Sequence, residues 1–165
     1  MDEASAHLHL HRPTEGLDES VARGCVAGFI PLPSPDSVAP LMLAAYKGTP
    51  DDEGESLADT VAILRSTMGG GFGRWLPQAS FLARDDSGRS VGAIVTALED
   101  DGTPFIVFVF VAPDRGGQGI ASGLIGRSCR TLCESGYSTV RLWVNTANER
   151  AVSLYRRLSF VDVVG

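Results

Sequence analysis

Three strand-like segments lead directly into a glycine-rich loop, and this order restricts the fold more than any other feature of the chain. The segments cover residues 79–84, 90–98 and 104–111, and the turns between them read DDSG and EDDG. Turns of this composition between apolar runs predict antiparallel hairpins. The loop that follows, APDRGGQGIASG, opens a segment with apolar residues at helical spacing. A meander that feeds a glycine loop and a helix differs from the regular alternation of a doubly wound fold.

The other segments complete an α+β pattern. Strict alternation in HLHLHR predicts a first strand over residues 6–12, and two helices follow between Ser34 and residue 70. After the glycine loop, the chain reads as a helix, a strand over residues 139–145, a helix in NERAVSLYRRL and a last strand in FVDVVG. We therefore predict a mixed, mostly antiparallel twisted sheet of six to seven strands flanked by about four helices. No repeat or linker divides residues 1–165, so we expect a single domain.

Composition excludes several classes of protein. A net charge of −6 argues against sequence-independent binding of nucleic acid. No apolar run reaches the roughly 18 residues of a membrane span, and MDEASAHLHLHRP lacks the apolar core of a secretory signal. Three cysteines are too few and odd in number for a disulfide framework, which favours a reduced, cytoplasmic protein.

The glycine loop fits two common phosphate loops poorly. A Walker loop requires Lys and Ser or Thr after its last glycine, whereas Ile120 and Ala121 follow Gly119 here. A dinucleotide fingerprint that begins at Gly117 requires a third glycine at position 122, which is Ser122. The spacing therefore disfavours both a nucleoside triphosphate and a dinucleotide.

The same residues resemble motif A of the GNAT family of N-acetyltransferases, in which a strand and V-x-P precede R-G-x-G-x-[G/A] and a helix. Val111 and Pro113 are followed by a glycine loop in that register. Backbone N–H groups at the start of a helix form a cradle for pyrophosphate. One departure is that Gly116 stands where the family usually has Arg or Gln, while Arg115 lies one residue earlier.

A second segment, LWVNTANERAVSLYRRLSF, resembles motif B of the same family, N-x-x-A-x-x-L-Y-x-x-x-G-F. Asn148 and Tyr155 fall in register, and Ser159 occupies the usual glycine position. Asn148 also suits the N-cap of the helix that follows. The two motifs cover residues 78–164, the expected cofactor-binding core, and residues 34–70 would form the acceptor-side helices.

The resemblance implies the GNAT (acyl-CoA N-acyltransferase) fold and acetyl transfer from acetyl-CoA to a primary amine. It implies Tyr155 as the catalytic acid and a splay between residues 104–111 and the next strand that admits the pantetheine arm. The cofactor-binding residues expected on this basis are Val109, Phe110, Val111, Arg115, Gly116, Gly117, Gln118, Gly119, Ala121, Ser122 and Asn148. Arg115 supplies charge to a phosphate in one interpretation and is merely solvated in the other.

The acceptor and the general base are less constrained. PFIVFVFV has no carboxylate, and Glu99 and Asp101 suit the preceding turn better than a catalytic role. The acidic run at residues 51–55 either attracts a cationic substrate or is a solvated loop. We expect a small-molecule amine acceptor; a protein N-acetyltransferase and a non-catalytic acyl-CoA-binding or degenerate module are the alternatives.

Two features stand outside the motifs. His7, His9 and His11 share a strand face, where H-x-H pairs can hold zinc, but no further ligands are evident, and we expect no metal. Relatives usually continue past the Gly-Phe of motif B with two strands, the last often a homodimer contact, whereas one short strand follows here. A shortened chain, a strand from a partner, and one short strand being sufficient are the three interpretations.

Overall fold

A single mixed sheet organises the computed structural model, which describes residues 6–17 and 26–165. Its strands are β1 (His7–Pro13), β2 (Gly28–Pro31), β3 (Arg74–Trp75), β4 (Phe81–Arg84), β5 (Ser90–Leu98), β6 (Pro104–Val111), β7 (Thr139–Asn145) and β8 (Val161–Asp162). The helices are α1 (Pro35–Tyr46), α2 (Leu57–Met68), α3 (Ile120–Glu134) and α4 (Glu149–Arg157). The predicted mixed, mostly antiparallel sheet with four helices is confirmed.

The strand order is β2-β4-β5-β6-β7-β1-β8, and β3 pairs with β5 beside this path. The pair β6–β7 is parallel, and the other pairs among the described residues are antiparallel. The β6–β7 connection carries the glycine loop and α3, as a parallel crossover requires. This topology places the glycine loop at the carboxyl end of β6.

Local sequence signals explain where the helices begin. Ser56 accepts a hydrogen bond from the N–H of Asp59, whose carboxylate accepts one from the N–H of Ser56, so that a capping box starts α2. Helix α3 starts at Gly119 in the left-handed conformation, at φ 78°. Helix α4 starts at Asn148, whose side-chain oxygen accepts from the N–H of Ala151, as the motif predicted.

Helices cover the sheet on two faces. Leu64 of α2 packs with Phe110 in a cluster that also contains buried residues of α1. On the other face, Leu124 of α3 and Tyr155 of α4 pack with Phe160 and the central strands. Residues of β6 that pack against these two clusters also line the region where β6 and β7 separate. No helix in the described ranges is both long and apolar enough to cross a bilayer.

The position of β1 bears on the open question about the last strand. β1 lies between β7 and β8: Leu10 is opposite both Leu142 of β7 and Asp162 of β8. A strand from near the start of the sequence, rather than one that follows β8, is therefore inserted beside β7. None of the three interpretations above described this arrangement, because it depends on pairing between residues about 130 positions apart.

The sheet has eight strands where the sequence predicted six or seven. The additional strands are β2 and β3, which lie in segments where the sequence predicted no strand. Strands of four and two residues are too short to show a period-2 pattern. Neither additional strand contributes a residue to the predicted cofactor site.

Candidate active site

The candidate active site lies where β6 and β7 separate. The two strands pair at Phe105–Arg141 and Ile106–Leu142, and no further pair joins them. Beyond this point β6 stays paired with β5 as far as Val111, and β7 stays paired with β1 as far as Asn145. The wedge between them is continuous with a cavity of about 530 Å³. The predicted splay is therefore present.

Several elements line the cavity. Its walls include Tyr46 from α1, Phe108 and Val109 from β6, Trp143 from β7, and Tyr155 from α4. The segment between α1 and α2 adds four carboxylates, which belong to Asp51, Asp52, Glu53 and Glu55. The cavity thus combines an apolar interior, two phenols and an acidic rim.

The glycine loop has the conformation of an anion cradle. Gly117 and Gly119 have φ values of 76° and 78°, in the left-handed region that favours glycine. The first hydrogen bond of α3 runs from the N–H of Gly123 to the carbonyl of Gly119 at 2.9 Å. The N–H groups of Ile120, Ala121 and Ser122 therefore have no acceptor within the helix. Together with the helix dipole they can bind a phosphate group.

Gln118 adds an unsatisfied polar atom to this loop. Its side-chain oxygen Oε1 is buried and has no hydrogen-bond partner among the described residues. A buried acceptor without a donor is unfavourable, so a donor from a bound ligand would stabilise it. The loop and the adjoining wedge therefore fit a ligand with a phosphate group and a polar arm, such as coenzyme A.

The Arg115 side chain, which was considered as a phosphate ligand, forms ion pairs within the protein. Its Nη2 donates to Oδ2 of Asp85 at 2.7 Å, and its Nε lies 4.0 Å from Asp114. Hydrogen bonds from Ser87 and Arg115 help to lower the pKa of Asp85 to about 2, so this pair is charged at neutral pH. The Arg115 guanidinium thus ties the loop before α3 to the β4–β5 turn, and phosphate binding by Arg115 stays a prediction.

Tyr155 lies with its side chain buried, on the face of α4 that packs against the sheet. Its ring contacts Phe160 edge-on, with centroids 5.7 Å apart, so the packing role and a catalytic role coexist. Burial and the negative charge of Asp51 raise the pKa of Tyr155 above its ordinary value. The phenol therefore keeps its proton at neutral pH and can donate it.

A second phenol, which the sequence did not single out, faces Tyr155. The hydroxyl of Tyr46, the last residue of α1, lies 3.5 Å from the carbonyl oxygen of Val109. Burial, with Tyr155 and Asp51 nearby, raises the pKa of Tyr46 as well. This contact brings the Tyr46 hydroxyl to a backbone group of β6 at the cavity. Tyr46 ends a helix, and no spacing signal marks it.

Asn148 joins the two halves of the site. Its side-chain oxygen caps α4, which leaves the amide group free to donate, and Nδ2 donates to Oδ2 of Asp51 at 2.9 Å. This contact fixes the α1–α2 segment against α4. Both the predicted N-cap role of Asn148 and its location at the cavity are observed, whereas binding of the pantetheine arm stays a prediction.

The acidic segment is ordered by its own hydrogen bonds. The Asp52 carboxylate accepts from the N–H groups of Gly48 and Gly54 at 2.8 and 2.9 Å. These bonds lower the pKa of Asp52. Asp51 has only Asn148 as a hydrogen-bond donor to its carboxylate in the described part of the chain, so it retains capacity to accept another. Of the two interpretations of this run, its position at the cavity favours the substrate role.

Other acidic and histidine residues are engaged elsewhere. Nη1 of Arg141 pairs with Glu99 and Asp101 at 2.8 and 2.7 Å, and neither carboxylate lines the cavity. His9 stacks on Trp143 with ring centroids 3.8 Å apart, and burial lowers the pKa of His9. Residues 6–17 and 26–165 contain no cluster of three or more metal-ligating side chains that could hold an ion.

Comparison with known proteins identifies the class. Residues 42–160 match the model of the acetyltransferase (GNAT) family. The fold is similar to a GCN5-related N-acetyltransferase from Sphaerobacter thermophilus, with a TM-score of 0.67 and 21% identity over 95% of this chain and 48% of that one. It is also similar to the ribosomal-protein-S18-alanine N-acetyltransferase from Escherichia coli, with a TM-score of 0.63 and 21% identity over 83% and 79% of the two chains. The chain belongs to the GNAT family.

Curated relatives share up to half of their length with this chain. A mycothiol acetyltransferase of Clavibacter sepedonicus is 40% identical over 53% of this chain and 29% of its own. The N-alpha-acetyltransferase MAK3 of Arabidopsis thaliana is 38% identical over 52% and 46%. A mycothiol acetyltransferase of Pseudarthrobacter chlorophenolicus is 30% identical over 90% and 45%. The chain thus spans less than half the length of these three relatives.

Proposed function

We propose that this chain is an N-acetyltransferase that transfers acetyl from acetyl-CoA to a cationic small-molecule amine. One observation carries the proposal: β6, which the glycine loop follows, separates from β7 to form a wedge, and the wedge opens into a cavity lined by Tyr155 and an acidic segment. A donor arm, a proton donor and an attraction for amines thus meet in one place. Family membership supports the same reaction.

The donor would be held by backbone groups. The N–H groups of Gly117, Gln118 and Gly119 and of the first turn of α3 are suited to the pyrophosphate. The free side of β6 at Val109, Phe110 and Val111 is suited to the pantetheine arm and to the thioester carbonyl. When bound, acetyl-CoA supplies the activated acetyl group, and the protein supplies orientation and proton transfer.

The acceptor would be bound through its charge. Four carboxylates line the cavity at the α1–α2 segment, and Trp143 and Phe72, each about half exposed, border it with aromatic surface. A primary ammonium group with an apolar or aromatic substituent complements both features. The half-buried Asp51, whose carboxylate can accept a further hydrogen bond, is the group to which we assign the ammonium.

The nitrogen of the ammonium must lose two protons, one before it attacks the thioester and one when the amide forms. An ammonium with a pKa near 10.4 requires about 4–5 kcal/mol to lose its proton at pH 7. We assign its acceptance to Asp51, directly or through a water molecule, in a site where desolvation of the amine favours the neutral form. We assign to Tyr155, which keeps its proton at neutral pH, the donation of that proton to the sulfur as the C–S bond breaks; the second proton that the nitrogen loses when the amide forms restores the phenol, directly or through a water molecule.

A protein N-terminus is the second candidate acceptor. The similarity to the N-alpha-acetyltransferase MAK3 favours it, since that relative is 38% identical over its aligned part. The cavity's acidic segment would attract an N-terminal ammonium equally well. A small amine, unlike a protein N-terminus, requires no groove for the residues that follow the amino group. A substrate panel distinguishes the two classes of acceptor.

The test is a screen for thiol release from acetyl-CoA. The panel contains polyamines, aminosugars, arylalkylamines and short peptides with free N-termini, and each is assayed with the wild-type chain and with Tyr155→Phe. We expect thiol release with at least one cationic small amine and its loss in the variant. Tight binding of acetyl-CoA without release across the panel would favour a non-catalytic binding module, which the missing side chain at Gly116 suggests.

A further inference from the structure

The space that a side chain at Gly116 would fill is occupied by Arg150. A Cβ atom on Gly116 would lie 2.6 Å from Nη2 of Arg150 and 3.4 Å from its Cζ. Arg150 extends from the first turn of α4 to the glycine loop. The Arg150 guanidinium, from the segment that resembles motif B, thus lies where the segment that resembles motif A lacks its usual side chain.

Backbone conformation does not explain the glycine at position 116. Its φ and ψ are −64° and 150°, which any residue adopts readily. The neighbouring Gly117, by contrast, has φ 76° and is favoured as glycine by conformation. What a side chain at position 116 would meet is the end of the Arg150 side chain, and it would displace the guanidinium.

Neither the helix nor an ion pair accounts for Arg150. A cation in the first turn of a helix opposes the helix dipole, whereas Arg156 and Arg157 in the last turn of α4 complement it. Among the described residues, Arg150 has no carboxylate partner, while Arg115 is paired with Asp85. Within residues 6–17 and 26–165, Arg150 is thus a cation without a counterion, and it lies beside a loop whose conformation suits an anion.

We propose that Arg150 supplies from α4 the cationic side chain that the glycine loop lacks, and that it binds the pyrophosphate of coenzyme A. A guanidinium suits this role because it forms two parallel hydrogen bonds to phosphate oxygens. The inference rests on the proposed function, since it concerns the donor of that reaction. Gly116 and Arg150 then form a complementary pair: position 116 has no side chain, and the Arg150 side chain occupies the space that one would take.

The test measures binding rather than turnover. The dissociation constants of coenzyme A and of dephospho-coenzyme A, which lacks the 3′-phosphate but keeps the pyrophosphate, are measured by calorimetry. The proteins are the wild-type chain, Arg150→Ala and, as a matched control on the same helix, Arg157→Ala. Arg150→Ala should weaken both ligands about tenfold, as expected for the loss of one charge-assisted interaction. Arg157→Ala should stay within about twofold of the wild type.

A compensating variant tests the shared space. Gly116→Arg combined with Arg150→Ala returns the cation to the position that the family usually uses, and it should recover most of the lost affinity. Arg150 is exposed, so Arg150→Ala should keep its thermal unfolding midpoint within about 2 °C of the wild type.

Each other outcome overturns the inference. An affinity within about twofold of the wild type for Arg150→Ala removes Arg150 from the donor site. A loss with coenzyme A but not with dephospho-coenzyme A places Arg150 on the 3′-phosphate instead of the pyrophosphate. Failure of the double variant to recover contradicts the shared position. If the wild-type chain itself does not bind coenzyme A, the proposed function fails, which is a different result from a wild-type-like Arg150→Ala.

Discussion

Asn148 donates a hydrogen bond from Nδ2 to Oδ2 of Asp51 at 2.9 Å and so joins the cap of α4 to the acidic segment between α1 and α2. Asn148, which the family motif assigns to binding of acetyl-CoA, therefore contacts the Asp51 carboxylate, which we assign to binding of the amine. Through this contact, the position of the amine-binding group depends on the same helix that carries Tyr155.

Replacement of Asp51 tests the assignment of the acceptor group. Asp51→Asn keeps an oxygen for the hydrogen bond from Asn148 but removes the charge and the basicity. We expect kcat/KM for a cationic amine to fall by about a hundredfold, the lower range for loss of a general base, with the dissociation constant of acetyl-CoA little changed. The control is Asp36→Asn, since Asp36 is exposed on α1 and pairs with Arg65. A change of less than about threefold in Asp51→Asn would remove it from the amine site.

Tyr155→Phe separates chemistry from binding. The ring and its contact with Phe160 are kept, and only the hydroxyl is lost. We expect kcat to fall by at least about a hundredfold while the dissociation constant of acetyl-CoA stays within about twofold. Tyr137→Phe, at the opposite end of β7, is the matched control and should keep full activity. An unchanged kcat in Tyr155→Phe means that another group protonates the thiolate.

High pH should destabilise the fold through the buried phenols. Burial raises the pKa of Tyr46 and Tyr155 in the folded chain, whereas in the unfolded chain tyrosine ionises near its ordinary pKa of about 10. Above that pH the unfolded state releases protons that the folded state keeps, so stability present below pH 10 is lost as pH rises. Each phenol contributes a fall of about 1.4 kcal/mol per pH unit.

Urea unfolding at pH 7, 8, 9, 10 and 11 measures this effect. Tyr46→Phe should lose stability less steeply than the wild type above pH 10, with the difference in slope close to the contribution of one phenol. Between pH 7 and 9 the difference between the two proteins should be constant, which serves as the internal control. Parallel slopes above pH 10 would mean that the Tyr46 hydroxyl is not buried.

The glycine at the start of α3 should be required for conformation rather than for space. Gly119 has φ 78°, and no atom lies within 4 Å of a Cβ built there. Gly119→Ala should therefore cost roughly 1–2 kcal/mol of unfolding free energy and weaken coenzyme A binding through a distorted cradle. Gly28→Ala is the control, because Gly28 has ordinary φ and equally open surroundings. Equal stabilities of the two variants would contradict the assigned conformation.

The sequence predicted the elements that have strong periodicity or sharp turns. The meander of β4, β5 and β6, the glycine loop and α3 follow from alternation, Gly-containing turns and helical spacing, and the family motifs placed Tyr155 and Asn148 at the site. These signals are local, so they can be read from neighbouring residues. They also predicted the wedge, through the resemblance.

Features that depend on distant residues were not predictable in the same way. The insertion of β1 between β7 and β8, the approach of Tyr46 to Tyr155 and the contact of Arg150 with Gly116 each join separate parts of the sequence. The acidic run at residues 51–55 was visible, but its location at the cavity depends on how α1 and α2 pack. A cation in the first turn of a helix, at Arg150, was a local signal of this kind.

The most direct test of the central claim is a crystal structure of the chain with coenzyme A. We predict that the pyrophosphate lies on the N–H groups of residues 117–121 and that the pantetheine arm lies between β6 and β7. We also predict that the sulfur lies within about 4 Å of the Tyr155 hydroxyl, which is about the range of a hydrogen bond to sulfur. A cofactor bound outside the wedge, or a sulfur that lies far from Tyr155 with the pyrophosphate in place, would contradict it.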